Sequence, residues 1–381
     1  MSGDITARGR LRMLAAGLAA LTTACGGGGG GGYGGSSPPP PPLPPPPPPP
    51  PPPPTTKLKD AYAGKFLCGA AVQSGQLTDA SVTDVLKAHF NSMTAEYEMK
   101  ADIIGPSEGV YNFTPGDQLA TFCQNNSINL RGHALVWHQT SPSWFFAGGD
   151  PATIRARLET YITAVVTHFK GKVYAWDVVN EVASDGADPV YRQDSPWYQA
   201  LGPDYIEYAF RAARAADPNV KLFYNDYSSE SSSKRTRILA IIDDLISKGV
   251  PIDGFGHQCH INLNTTAASI ETAVNTIEAR SLINHITELD IDVYASSSSP
   301  DYGANIPASV LHDQAVLYRA LYQMFAMHTS IQAVTTWGVH DGQSWLNTFP
   351  VTRTNYPLLF DRNKQPKTAL YAVVDPNYTI P

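Results

Sequence analysis

The sequence predicts an α/β fold, a (β/α)8 TIM barrel, and three observations predict it. From residue 57 onward, short β-branched and aromatic runs alternate with longer helical patterns, eight times over. Several runs are apolar on consecutive positions, which suits strands covered on both faces. Polar and charged residues gather directly after the runs, where the βα loops of such a barrel form its working face. The rival architecture, an open doubly wound sheet, would carry a Gly-rich phosphate fingerprint after its first strand. No such motif stands there.

The strands are predicted in order. FLCGAAV (66–72) and FNSMTA (90–95) come first, then INLRGHALVW (128–137) and VYAWDVVN (173–180). VKLFYND (220–226), GFGHQCH (254–260), HITELDI (285–291) and AVTTW (333–337) complete the eight. Helices are expected at 81–89, 151–169, 203–216, 232–248, 266–280 and 307–328. Their starts carry polar or proline signals: Asp150 is a candidate cap with Pro151 in the first turn, and Gly249 stops the fourth.

Charge and composition bound the function. The chain has 381 residues and a formal charge of −7. Residues 1–56 hold three Arg, one Asp and 16 of the 32 prolines, which leaves residues 57–381 with 24 basic and 33 acidic side chains. An acidic domain argues against nucleic acid and against an anionic membrane surface, since both need clustered Lys and Arg. Three cysteines (Cys68, Cys123, Cys259) fall in this domain without metal-ligand spacing, and are read as buried small apolar residues.

The N-terminus reads as an address followed by a tether. Arg8, Arg10 and Arg12 precede an apolar stretch from Met13 to Leu21 that ends in small residues, the pattern of a secretory signal over residues 1–24. Cys25 follows Ala24 and resembles the acylated cysteine of a bacterial lipobox, which implies a lipid anchor to the cell envelope; plain cleavage and secretion is the alternative. Residues 25–56 are rich in Gly and then Pro. They read as a disordered linker, its prolines a polyproline rod of about 50 Å at roughly 3.1 Å per residue.

Two carboxylates stand out at the predicted strand ends. Glu181 and Glu288 each close an apolar run, where a charge is costly unless it faces a cleft with partners. Paired glutamates suit glycoside hydrolysis, one donating a proton to the leaving oxygen and the other attacking the anomeric carbon. Aromatic and polar residues crowd the same ends, as expected for a sugar with CH-rich faces and hydroxyl edges.

The motifs FNSMTAEYEMK (90–100), RGHALVWHQTSPSW (131–144), WDVVNE (176–181), KLFYNDY (221–227), IDGFGHQCHI (252–261), ITELDI (286–291), TWGVHDGQSW (336–345) and PLLFDRNKQP (357–366) run in one order along the domain. By them, the chain resembles the family 10 glycoside hydrolases, whose typical members are endo-1,4-β-xylanases. The resemblance implies a retaining double displacement on xylan, with Glu181 as general acid/base and Glu288 as nucleophile. It further implies that Asn180 holds the 2-hydroxyl, that His260 bonds the nucleophile with Asp290 behind it, and that Gln258 lies beside them. Glu96, Lys100 and His133 would bind sugar hydroxyls, and Trp137, Trp337 and Trp345 would form floor and walls. Tyr97 stands where the family usually has Asn, so it is expected to stack or to donate its hydroxyl. Thr140, Cys259, His340 and Leu346 are further departures that bear on specificity more than on reaction type.

No cofactor and no metal are expected. The strand-end histidines invite a metal reading, but a metal hydrolase of this fold would want His-x-His on the first strand, which reads Cys68-Gly69-Ala70. Xylan is the expected partner of a monomeric enzyme. A β-1,4-glucan or mixed substrate is the alternative, and a catalytically silent sugar-binding barrel is the rival class.

Overall fold

The computed structural model describes residues 53–186 and 188–381. The signal segment, Cys25 and the Gly/Pro-rich stretch up to residue 52 lie outside the described residues. Residues 53–57 are extended coil leading into a one-turn helix, Leu58–Ala61.

Ten strand segments build eight staves: β1 (Leu67–Val72), β2 (Ser92–Ala95), β3 (Asn129–Gly132), β4 (Val136–Trp137), β5 (Val173–Asn180), β6 (Lys221–Asp226), β7 (Gly254–His257), β8 (His260–Asn262), β9 (Ile283–Asp292) and β10 (Ile331–Thr336). All pair in parallel, and β1 bonds both β2 and β10, so the sheet closes on itself. The expected barrel is present.

Two predicted staves are interrupted. The run 128–137 breaks into β3 and β4 around His133–Leu135, and the run 254–260 breaks at Gln258–Cys259, where Cys259 adopts φ +58°. His133 and Gln258, one at each interruption, line the cleft described below.

The six expected helices are found at Ala80–His89, Pro151–His168, Asp204–Ala216, Ser232–Ser247, Ala267–Glu278 and Ala308–Phe325. Asp150 caps the second by accepting from the Thr153 amide at 2.8 Å. The sequence reading passed over Thr114–Asn125, which follows β2, and Thr368–Val374, which follows β10. Between helices and sheet lies a continuous apolar core that includes Val178, Val179, Leu222, Phe255, Ile286 and Leu289, all wholly buried. Cys68, Cys123 and Cys259 are buried free thiols, as expected.

Candidate active site

Strand register builds the site. The β5–β6 pairing sets Asn180 opposite Asn225, and the β6–β7 pairing sets Asn225 opposite Gly256. The β8–β9 pairing sets His260 opposite Asp290. Gly256 has no Cβ for a reason: one built there would collide with Asn225 Oδ1. That oxygen accepts instead from Thr287 Oγ1 at 2.7 Å, which turns the Asn225 amide nitrogen toward Asn180 Oδ1 (2.8 Å) and Glu288 Oε1 (2.7 Å).

Glu181 is the first residue past β5 and sits at φ +58°, a left-handed conformation costing a non-glycine residue roughly 1 kcal/mol. Its amide donates to Asn225 O (2.9 Å), and Arg192 Nε donates to its carbonyl (2.8 Å), so the strained backbone is gripped from both sides. The carboxylate accepts from Trp137 Nε1 at 2.9 Å and from Gln258 Nε2 at 3.2 Å. Gln258 Nε2 also lies 3.4 Å from Asn180 Oδ1. A chain of amides therefore runs Glu181–Gln258–Asn180–Asn225–Glu288, tying the two glutamates into one network.

The two carboxyls are tuned apart. Burial raises Glu181, and the negative charge of Asp226 behind it raises it further, against the Trp137 and Gln258 hydrogen bonds. Burial also works to raise Glu288, but the His260 hydrogen bond, the facing His133 and His260 charges and the Asn225 bond outweigh it and hold Glu288 below the ordinary carboxylate range. His260 Nε2 donates to Glu288 Oε2 at 3.1 Å, and its Nδ1 stands 3.0 Å from Asp290 Oδ1. That second contact is an ion pair whose angles fall outside hydrogen-bond geometry. Burial opposes a charged ring, yet Asp290 and Glu288 prevail and push its pKa up to about 10. The ring is therefore an imidazolium at neutral pH, wedged between two carboxylates. Trp345 Nε1 donates to the other Asp290 oxygen at 2.8 Å.

A second relay supports His133. The buried Asp177 on β5 pairs with both terminal nitrogens of Arg131 on β3 and accepts from His133 Nδ1 at 2.9 Å. With Nδ1 carrying that proton, His133 turns Nε2 to the cleft.

The cleft encloses about 620 Å³ and is lined by Glu181, Glu288, Asn180, Gln258, His260, His133, Lys100, Trp137, Trp337, Trp345 and Tyr97, all anticipated from the sequence. Glu96 and Asp290 lie beneath rather than on this lining. Burial brings Glu96 to a pKa of about 7, against a Gln73 hydrogen bond and the Lys100 charge. Lys100 Nζ lies 4.5 Å over the Tyr97 ring and 4.8 Å over Trp137, which fixes the cation between two aromatic faces. His138 does not line the cleft, and its buried Nδ1 has no hydrogen-bond partner.

The sequence puts Asn225 among the strand-end polar residues without giving it a role, and does not single out Asp177, Arg192, Tyr227 or Phe349 for the site. Asn225 closes an apolar run as Asn180 does, and that signal was available. Among the described residues, no group of three or more His, Cys, Asp and Glu is arranged to hold a metal ion.

Cleaving an acetal takes a proton for the departing oxygen and a charged oxygen for the carbon, in a pocket that grips a flat polar ring. A closed parallel barrel with two buried carboxyls of divergent acidity between tryptophans defines a glycoside hydrolase. Comparison with known proteins names the family. The model of glycosyl hydrolase family 10 matches residues 57–376, and the chain belongs to that family.

Among its relatives, the thermostable celloxylanase of Thermoclostridium stercorarium is 40% identical over 339 residues, covering 84% of this chain and 87% of that one. The beta-1,4-xylanase of Dictyoglomus thermophilum is 41% identical over 320 residues, covering 83% and 90%. The crystal structure of xylanase B from Clostridium stercorarium F9 superposes with a TM-score of 0.80 at 40% identity, covering 84% of this chain and 99% of that one.

Proposed function

We propose that the protein is an endo-1,4-β-xylanase, with Glu181 as general acid/base and Glu288 as nucleophile of a retaining double displacement. Family membership and the xylanases among its relatives carry the activity. The opposed tuning of the two carboxyls supports the roles: the surroundings of Glu181 favour its protonated form, and those of Glu288 favour its ionised form.

In the first step Glu288 bonds to the anomeric carbon as the glycosidic C–O bond breaks, and the departing oxygen takes the Glu181 proton. In the second, Glu181, now a carboxylate, removes a proton from water. The water oxygen bonds to the anomeric carbon, and the ester to Glu288 breaks. The His260 imidazolium offsets negative charge on Glu288 while that group is free. Asn180, oriented by Asn225, is placed to hold the 2-hydroxyl, an interaction that strengthens as the ring flattens. Export, and anchoring to an envelope lipid through Cys25, are supported by the N-terminal sequence alone.

Proton NMR of fresh product tests the mechanism: the β-anomer is expected first, and initial release of the α-anomer refutes retention. Glu288→Ala is expected to lose almost all activity on every substrate. Glu181→Ala is expected to lose roughly 10²–10⁴-fold on xylan while sparing glycosides with acidic leaving groups, which depart unprotonated. Identical behaviour of the two variants on both substrate types would overturn the assignment. The relative described as a celloxylanase favours a second reading, added action on β-1,4-glucan. Product profiles on xylan, cellulose and mannan separate the two.

A further inference from the structure

We propose that Phe349 is the outermost sugar-stacking platform of the cleft, carrying the apolar wall begun by Trp345 along the xylan chain. The proposal rests on the xylanase reading above and adds to it a residue that binds chain length rather than the scissile bond.

Among the described residues, eight large hydrophobic side chains are exposed, and only two are aromatic: Tyr97 at 48% and Phe349 at 59%. Both line the cleft. An aliphatic side chain left in water is common on any protein surface, but two open aromatic rings at one cleft, and none elsewhere among the described residues, point to a ligand that covers them.

Phe349 also continues a series of rings from the site outward. His133 meets Trp337 with centroids 5.3 Å apart, Trp337 meets His260 at 6.2 Å, and His260 meets Trp345 at 4.9 Å. Phe349 then stacks on Trp345 at 5.4 Å, with ring planes 20° apart. The inner end of this series is fixed, because Trp345 is tied through Nε1 to Asp290.

The outer end is held too. The Phe349 amide donates to Trp345 O (3.1 Å), and the Asn347 side-chain amide donates to Asp341 O (2.8 Å) and Ser344 O (2.9 Å). A platform built in this way gives up little conformational freedom on binding. Phe349 has no polar atom, so it cannot select among hydroxyls. It offers an apolar surface to the CH face of a pyranose and rewards each ring long enough in reach to cover it.

The test measures affinity and kcat/KM over linear xylo-oligosaccharides from two sugars to six, on full-length protein. Affinities are read by calorimetry in a Glu288→Ala background. Phe349→Ala is expected to weaken binding of the longest oligosaccharide roughly three- to tenfold more than that of the shortest. The loss in kcat/KM should appear in KM rather than kcat, and Phe349→Tyr, which keeps the ring, should restore the wild-type length dependence. A Phe349→Ala loss that is equal at every length, or absent at every length, overturns the platform. If the unaltered protein releases nothing from xylan, the xylanase reading falls, and this proposal falls with it.

Discussion

Replacing His260 by Asn removes the positive charge that keeps Glu288 ionised, and the structure sets both the sign and the size of the effect. The imidazolium donates from Nε2 to Glu288 and lies 3.0 Å from Asp290 on its other side. An asparagine amide can replace one donor at most and none of the charge, so two buried carboxylates are left facing each other. Burial already works to raise Glu288, and the His260 bond is the first of the influences that overcome it. A hydrogen bond between charged partners contributes about 1.5–3 kcal/mol, and each pKa unit corresponds to about 1.36 kcal/mol. Glu288 should therefore rise by about 1–2 units, limited by the remaining Asn225 bond.

In the proposed mechanism Glu288 attacks only when ionised, so a raised pKa widens the acid range in which it is idle. The acid limb of kcat/KM must then move toward neutrality by about 1–2 units. The assay is kcat/KM against pH on an aryl xylobioside with an acidic leaving group, which removes the Glu181 proton from the rate expression. An acid limb that stays in place, or moves to lower pH, would refute the role given to His260.

Other consequences follow from the same network. Trp137→Phe deletes the N–H that favours ionised Glu181, so the Glu181 pKa rises and the alkaline limb of the profile on xylan should move up by about one unit. Gly256→Ala drives a methyl group into Asn225 and unhooks Glu288, and should lower kcat roughly tenfold or more while the far-UV circular dichroism is kept. Arg131→Met strands the buried Asp177 without its counter-charge, at a cost of about 3–5 kcal/mol read from urea unfolding. Chelation with EDTA should leave xylan hydrolysis unchanged.

How much of this was legible in the sequence depended on what a single chain segment can reveal. Staves such as Val173–Asn180 announce themselves because burial on both faces demands an unbroken apolar run, and Glu181 stands out by ending one. The break at His133–Leu135 was hidden for the same reason. ALVW is apolar throughout, and nothing in periodicity marks where a ladder is left. The helix Thr114–Asn125 did leave a signal, in Pro115 at its start and in buried positions 116, 119, 120 and 123, but Gly116 and its polar neighbours obscured it. The place of Asn225 at a strand end was legible, but its bonds to Asn180 and Glu288 were not, and the role of Asp177 was not legible at all, because such contacts exist only when two or three staves lie side by side.

The bonding of β1 to β10 sets an order on the making of this protein. Leu67 pairs with Ala333 and Ala70 with Thr336, so the earliest stave to leave the ribosome waits for the last before its second edge is covered. Until then a nascent chain exposes two raw sheet margins, at β1 and β9, each able to recruit a neighbouring polypeptide. A product truncated before residue 331 would keep seven of the eight staves and every glutamate of the cleft, and would still be a hazard to the cell rather than a smaller enzyme.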